Sequence, residues 1–345
     1  MSIDDPQHDK SGKPTLPLVR LNLALPFIEE LDRLCLNGDV VLGKHGLTRS
    51  SVQDPNLFVS VNIVHSILED AAAAANNPYF GVHVGENLDF TAWAPLTDAA
   101  QRAATLADFL TRFILAASEE ASSARHCLEI QGAYTFFRER RISKPDITPS
   151  QNDAFTAAYV LNILQNAVGQ EWDPKEVLLL VCTPAALPAG YRGVQVAGGD
   201  NLGMTIRFPS HWLVHTIDHS GYLPSAAGST EKRRPPESFL DALRQSIAPH
   251  LGKSELTVDF VVQLCSLSRQ ALQRRLKANG TTLSQEISRL KKQRAIDDLT
   301  QTEKPVADIG EALGFNSPAS FTRAFKTWTG LSPRDYRKAN KTHVI

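Results

Sequence analysis

Very little in this 345-residue chain is arranged for metal, redox or membrane chemistry. Its four cysteines, Cys35, Cys127, Cys182 and Cys265, are scattered. They lack the close spacing of a zinc site or a redox pair, which predicts small core residues in a reducing compartment. No apolar run reaches the roughly 18 residues that a membrane helix needs. The opening MSIDDPQHDKSGKP has neither a basic leader nor an apolar stretch, so the expectation is a cytoplasmic protein. The glycines of AGGDNLG lack a strand–GxGxxG–helix context, and there is no P-loop and no nucleophile elbow. No cofactor and no catalytic residue is therefore expected.

Net charge is also nearly missing, at −1, but this hides an asymmetry. From Lys253 onward there are 16 Lys and Arg against 9 Asp and Glu, a balance of +7 that leaves −8 for the rest. A basic end on an acidic body implies a polyanionic partner for that end only.

Along the chain, residues 1 to about 20 show no periodicity and read as a tail. LALPFIEELDRLCLNG has helical spacing and Asn37-Gly38 as its stop. Two long helices are expected over Leu57–Ala75, opened near Pro55, and Ala99–Ala117, with GVHVGENLD between them as a turn or short extended piece. HCLEIQGAYTFFRER alternates around Tyr134, Phe136 and Phe137 and reads as strand, with Gly132 as a turn. A helix over Asp153–Val168, a buried strand in VLLLVCTP and further strands in GVQVAGGDNLGMTIRFP complete an α+β pattern. HSGYLPSAAGSTEKRRPPE is linker in character, and SFLDALRQSIAPHLG opens a second domain.

The second domain carries the sharpest signal. In PVADIGEALGFNSPASFTRAFKTWTGLSPRDY, Val306, Ile309 and Leu313 form one apolar stripe, GFNSP breaks it, and Phe321 and Phe325 resume the helical period. LTVDFVVQLCSLSRQALQRRLKANG repeats this logic, with Phe260 and Leu264 before the turn and Leu272 and Leu276 after it. Ser268 and Ser317 stand where a hydroxyl caps the second helix of each pair. Two helix-turn-helix units follow, joined by a helix in TTLSQEISRLKKQRAIDDLTQT. About seventeen residues would span about 25 Å, enough to present two recognition helices to successive major grooves.

GF followed by FTRAFK and TGLSPRDYR, together with RRLKANGTTLSQEI, closely resembles the DNA-binding domain of the AraC/XylS family of transcription regulators. NNPYFGVHVGENLD and IRFPSHWL resemble the arabinose-binding-type sensor domain of one branch, which contains ornithine-utilisation regulators. The resemblance implies a tail over 1–16, an α+β effector-sensing and dimerisation domain over 17–218, a linker over 219–237, and an all-α domain over 238–340 with two helix-turn-helix units and a connecting helix. It further implies a homodimer that binds double-stranded DNA in the major groove, responds to a small-molecule effector and activates transcription through RNA polymerase. The base-reading positions would be Gln270, Gln273 and Arg274 in the first unit and Ala319, Thr322 and Arg323 in the second. Arg can pair bidentately with guanine and Gln with adenine, whereas Ala offers only apolar contact to a thymine methyl. Arg269, Lys277 and Lys326 point to the flanks, where phosphate lies. Ser266, Val262 and Gly310 depart from the family's small residues, and Ala is expected to be accepted at Gly310 with a gain in helix propensity.

SHWLVHTIDH sets His211, His215 and His219 at i, i+4 and i+8 on one helix face, a spacing that could hold zinc. Trp212 occupies the place of the glutamate in an H-E-x-x-H motif, so ordinary surface histidines are the expectation and no metal site is assigned. Two other readings fit the sequence. One is a dimeric regulator that binds no ligand and answers to protein partners. The other is an enzyme fused to a DNA-binding domain, against which the missing nucleophile–base pattern counts.

Overall fold

A computed structural model of the chain describes residues 16–89, 93–217, 234–236, 238–252, 256–265 and 267–340. The chain divides after Ser238 into two units. Most of the linker stretch, Ser266 and His219 lie outside the described residues.

In the amino-terminal unit β1 (Leu18–Arg20) pairs antiparallel with β2 (Phe58–Ser60), Val19 opposite Val59. Packing therefore begins earlier than the sequence suggests: Leu16 and all of β1 are buried. A three-residue strand is too short to display a period. Three short helices lie between the two strands: α1 (Leu25–Arg33), α2 (Gly38–Lys44) and α3 (Arg49–Gln53). The Asn37 side chain accepts from Asp39 N at 2.9 Å, so Asn37-Gly38 opens α2, where a helix stop was expected.

The expected helix over Leu57–Ala75 starts only at Val61: residues 58–60 pair as β2, Ser60 caps, and α4 runs Val61–Ala74. GVHVGENLD is neither turn nor strand but α5 (Phe80–Glu86). Its glycines serve contact with the next long helix on the sheet. A Cβ on Gly81 would lie 2.4 Å from the Gln151 carbonyl oxygen, and one on Gly85 2.6 Å from that of Phe155. The single helix expected over Ala99–Ala117 is two, α6 (Ala94–Arg102) and α7 (Leu106–Glu120). Thr105 accepts from Asp108 N at 3.3 Å while Asp108 accepts from Ala104 N at 3.0 Å. These two side-chain bonds start a new helix inside an alanine-rich run whose propensity alone would continue the old one.

β3 (Ala124–Gln131) and β4 (Tyr134–Arg141) form the expected hairpin. Then come α8 (Ser150–Val168), β5 (Leu178–Val181), β6 (Gln195–Gly198) and β7 (Gly203–Pro209). The sheet order is β3-β4-β7-β5-β6, with β5–β6 parallel and the other pairs antiparallel. α8 is buried along nearly its whole length because it packs on both the sheet and α5. Along β4, Thr135, Phe137, Glu139 and Arg141 point inward, while Tyr134, Phe136 and Arg138 are half-exposed.

Two expectations fail here. The chain after β7 is a 3-10 turn over Ser210–Val214, and His215 is already extended. His211 and His215 therefore share no α-helical face, and His215 lies 3.2 Å from Glu171. The cysteines are not all core residues: Cys35 is exposed, Cys127 and Cys182 are half-buried, and only Cys265 is buried. Cys35 takes the left-handed position beyond α1, at φ 59, which places it at the surface.

The carboxy-terminal unit is wholly helical among the described residues: α9 (Phe239–Ile247), α10 (Val258–Leu264), α11 (Arg269–Ala278), α12 (Leu283–Gln301), α13 (Val306–Ala312), α14 (Pro318–Thr329) and α15 (Pro333–Asn340). α12 has 19 residues, about 28 Å. At its start, buried Glu286 accepts from Arg244 of α9 at 2.7 Å and from Thr281 at 2.6 Å. Burial opposes its ionisation, yet these two bonds hold the carboxyl below the usual carboxylate range. At its end, Ala295 and Leu299 join Ile309, Leu313, Phe321 and Phe325 in one core.

Candidate nucleic-acid interface and a polar pocket

α10–α11 and α13–α14 are two copies of one arrangement. The second helices correspond at an offset of 49, with Ser268 accepting from Ala271 N at 3.1 Å and Ser317 from Ser320 N at 3.2 Å. The first helices correspond at 48, since α10 starts at Val258 and α13 at Val306. The second turn is thus one residue longer. Leu267 N bonds Val262 O, and Phe315 N bonds Gly310 O, each at 3.0 Å. The buried stripe of the first pair is consequently Val261, Leu264 and Cys265; Val261 and Cys265 match buried Ile309 and Leu313, while Ala312, at the position of Leu264, is exposed. Phe260, expected in that stripe, is half-buried and lies edge-on to His250 at 5.1 Å.

On the outer side of α11 stand Gln270, Gln273, Arg274 and Lys277, all exposed. Ala319, Thr322, Arg323 and Lys326 occupy the same four positions on α14, with Thr322 half-buried and the others exposed. Spacing at i, i+3, i+4 and i+7 makes each set one continuous stripe. Arg274 and Arg323 make no ion pair among the described residues, so both guanidinium groups present free donors. Two of the sequence-assigned residues are partly engaged. Thr322 donates its hydroxyl to the Pro318 carbonyl at 2.8 Å. Arg269 forks onto Asp259, with Nε at 2.7 Å from the carboxylate. That exposed pair is weak, and a phosphate reached by Arg269 would compete with it.

The amino-terminal unit holds a feature that the sequence reading missed. A cavity with about 100 Å³ of free space opens among Val61, Val64, Leu68, Phe113, Phe155 and Tyr159. At one end sits a buried charged cluster: Arg141 contacts Asp153, and its Nη2 lies 3.3 Å from Glu139. His126 is 3.5 Å from the other Glu139 oxygen, and Asn152 donates to Glu139 at 3.5 Å. Asp153 also accepts from Cys182 N at 2.9 Å. Burial opposes the charge on Glu139, but the Arg141 guanidinium and His126 hold its carboxyl down to about 2. Burial, helped by the nearby Arg141 charge, pushes the His65 imidazole down to about 3, so it is neutral. The available signal was the alternation of β4. Glu139 and Arg141 fall on its inward positions, where an ordinary strand would place apolar residues.

Comparison with known proteins follows the same division. A family model described as the arabinose-binding domain of AraC transcription regulators, amino-terminal, matches residues 36–196. One described as a helix-turn-helix domain matches 261–339. The ornithine utilization regulator of Pseudomonas aeruginosa is 43% identical over 72 residues, 21% of each chain. The HTH-type transcriptional regulator VqsM of the same species is 36% identical over 142 residues, 38% of this chain and 43% of that one. The alignments thus span less than half the length of these two curated relatives. The crystal structure of the transcriptional regulator CdpR from Pseudomonas aeruginosa is 17% identical, covers 92% of this chain and 98% of that one, and has a TM-score of 0.40. With both domain models matched in order along one sequence, the chain belongs to the AraC/XylS family of transcription regulators and carries an amino-terminal domain of the arabinose-binding type.

Proposed function

We propose that this chain is a sequence-specific DNA-binding regulator, acting as an activator that engages RNA polymerase. Both helix pairs are read as helix-turn-helix units, with α11 and α14 as recognition helices. One observation carries the reading: two exposed stripes of the same four positions, each with an unpaired Arg at its centre. In a major groove, Arg274 and Arg323 reach guanine edges, Gln270 and Gln273 reach adenine, and Ala319 and Thr322 make the smaller contacts. Lys277, Lys326 and Arg269 meet phosphate, which fixes register without reading sequence.

In the full chain, Arg274→Ala should weaken binding at a specific site by about 1–3 kcal/mol and relax base preference at one position. Lys326→Ala should weaken all sequences alike and lower the salt slope by about one unit. DNA titrations over a salt series with randomised sites check both. An Arg274→Ala protein with unchanged preference and affinity would remove α11 from the reading role.

The amino-terminal unit is assigned control by a small effector and pairing of two copies. Pairing makes the second binding event effectively intramolecular, which compensates a second unit poor in base contacts. Of the two long helical stretches read from the sequence, both candidates for a pairing surface, α4 exposes only Ala73 and Ala74, so it is spent on its own core. α7 keeps an outer stripe with Leu115 at 64% exposure. Light scattering on the full chain should give twice the 37.8 kDa chain mass; a mass of one chain at the concentrations used for DNA titration would end the dimer assignment.

A further inference from the structure

The cavity beside β4 carries more than its apolar lining explains. Three of its wall residues hold buried polar atoms with no hydrogen-bond partner among the described residues: Nδ1 of His65, Nε1 of Trp93 and Nε of Arg141. His65 is 2% exposed and Arg141 8%. Buried polar atoms are almost always partnered by protein, ordered water or a bound molecule, so three orphans on residues that line one space make it a candidate for a guest that supplies partners. We propose that this cavity is a binding site for a small neutral molecule with an apolar body and a carbonyl or hydroxyl oxygen.

The chemistry narrows in three steps. The nitrogens of Trp93 and Arg141 carry hydrogens and can only donate, so the guest must accept. An ammonium brings donors alone and leaves both unanswered. An anion finds no free cation among the described wall residues, where Glu120 is already paired with Arg20 and Glu139 adds a further carboxylate. The single Arg141 there already contacts Asp153 and Glu139 and donates from Nη1 to the Asn201 carbonyl at 3.4 Å. His65, neutral in this setting, completes the polar end by donating to a carbonyl or accepting from a hydroxyl. The rest of the wall, with Val61, Val64, Leu68 and Phe155, suits a hydrocarbon body. A cavity of roughly 150 Å³ holds benzene. The buried part of the guest in about 100 Å³ is accordingly about six non-hydrogen atoms or fewer.

Cyclopentanone is the probe, with pentanoate and cyclopentylammonium as charged partners of similar size. The readout is the indole N–H signal of Trp93 in ¹H–¹⁵N spectra of the full chain. The chain has four tryptophans, so the signal is identified by its loss in Trp93→Phe. Should that variant fail to fold, Trp172→Phe, Trp212→Phe and Trp328→Phe identify it by elimination. Cyclopentanone should move the Trp93 signal to a saturating shift and leave Trp328 in place, while the two ions produce none. A Trp93 signal indifferent to all three probes would overturn the site, and saturation by pentanoate or cyclopentylammonium instead would overturn the neutral-acceptor class. The site's role as the effector site rests on the function proposed above and is read separately by DNA titration with and without cyclopentanone. Saturable binding with unchanged DNA affinity would keep the site and count against its control of DNA binding.

Discussion

Arg141→Met should destabilise the amino-terminal unit by about 3–5 kcal/mol at pH 7, the usual cost of leaving a buried charge without its partner. Methionine keeps most of the length and loses only the guanidinium. Glu139, 7% exposed, and Asp153, 1% exposed, would then sit as two carboxylates with no cation between them. The pH dependence separates this from simple loss of packing. With its carboxyl held at about 2 instead of the ordinary 4.5, Glu139 contributes stability that is present above about pH 4.5 and is lost as pH falls toward 2. The variant lacks that contribution, so its deficit against the parent should be largest near neutrality and shrink on acidification. Urea unfolding at pH 7 and pH 4, followed by tryptophan fluorescence, checks both, because Trp93, Trp172 and Trp212 belong to this unit and only Trp328 to the other. A pH-independent loss, or none, would mean that the cluster is not held together by charge.

Gly310→Leu should break the second helix pair. A Cβ at Gly310 would stand 3.0 Å from Cβ of Phe321 and 3.1 Å from two of its ring carbons. Phe321 has nowhere to retreat: it is fully buried, with Phe315 at 5.4 Å and Phe325 at 5.8 Å between ring centres. The remaining leucine carbons overpack this contact, and a loss of about 3 kcal/mol or more is expected. Alanine is the informative comparison. Helix propensity favours it over glycine by about 1 kcal/mol, and from the sequence alone Gly310→Ala reads as stabilising. The close Phe321 contact works against that gain, so the corrected expectation is a net effect near zero with DNA binding retained. Circular dichroism melts of the full chain, with Trp328 fluorescence for the carboxy-terminal unit, resolve the two variants. A Leu variant as stable as the parent would place Gly310 away from α14.

What the sequence determined by itself was whatever depends on neighbours within one or two turns. The stripe of Ile309, Leu313, Phe321 and Phe325, the serine caps at Ser268 and Ser317, and the matched stripes of α11 and α14 all follow from local period and hydrogen-bonding chemistry. The β3–β4 hairpin followed from alternation about Gly132. Those features positioned the candidate DNA face almost completely. Tertiary structure decided the points where local signals are ambiguous or silent. Glycines in GVHVGEN read as breakers until α8 is seen pressing on Gly81 and Gly85. Thr105 splits an alanine-rich run because its hydroxyl caps Asp108 N while the Asp108 carboxylate holds Ala104 N. The one-residue difference between the two turns moved the buried position from Phe260 to Val261. The polar cavity was the least legible of all, since His65, Trp93, the Glu139–Arg141 pair and Asp153 come from four separate stretches. Apart from the inward phase of Glu139 and Arg141 on β4, none stands out in its own segment. Only the packing of α4, β4, α8 and the segment that opens α6 gathers them, and only burial there turns ordinary side chains into unanswered donors and charges that must be paired.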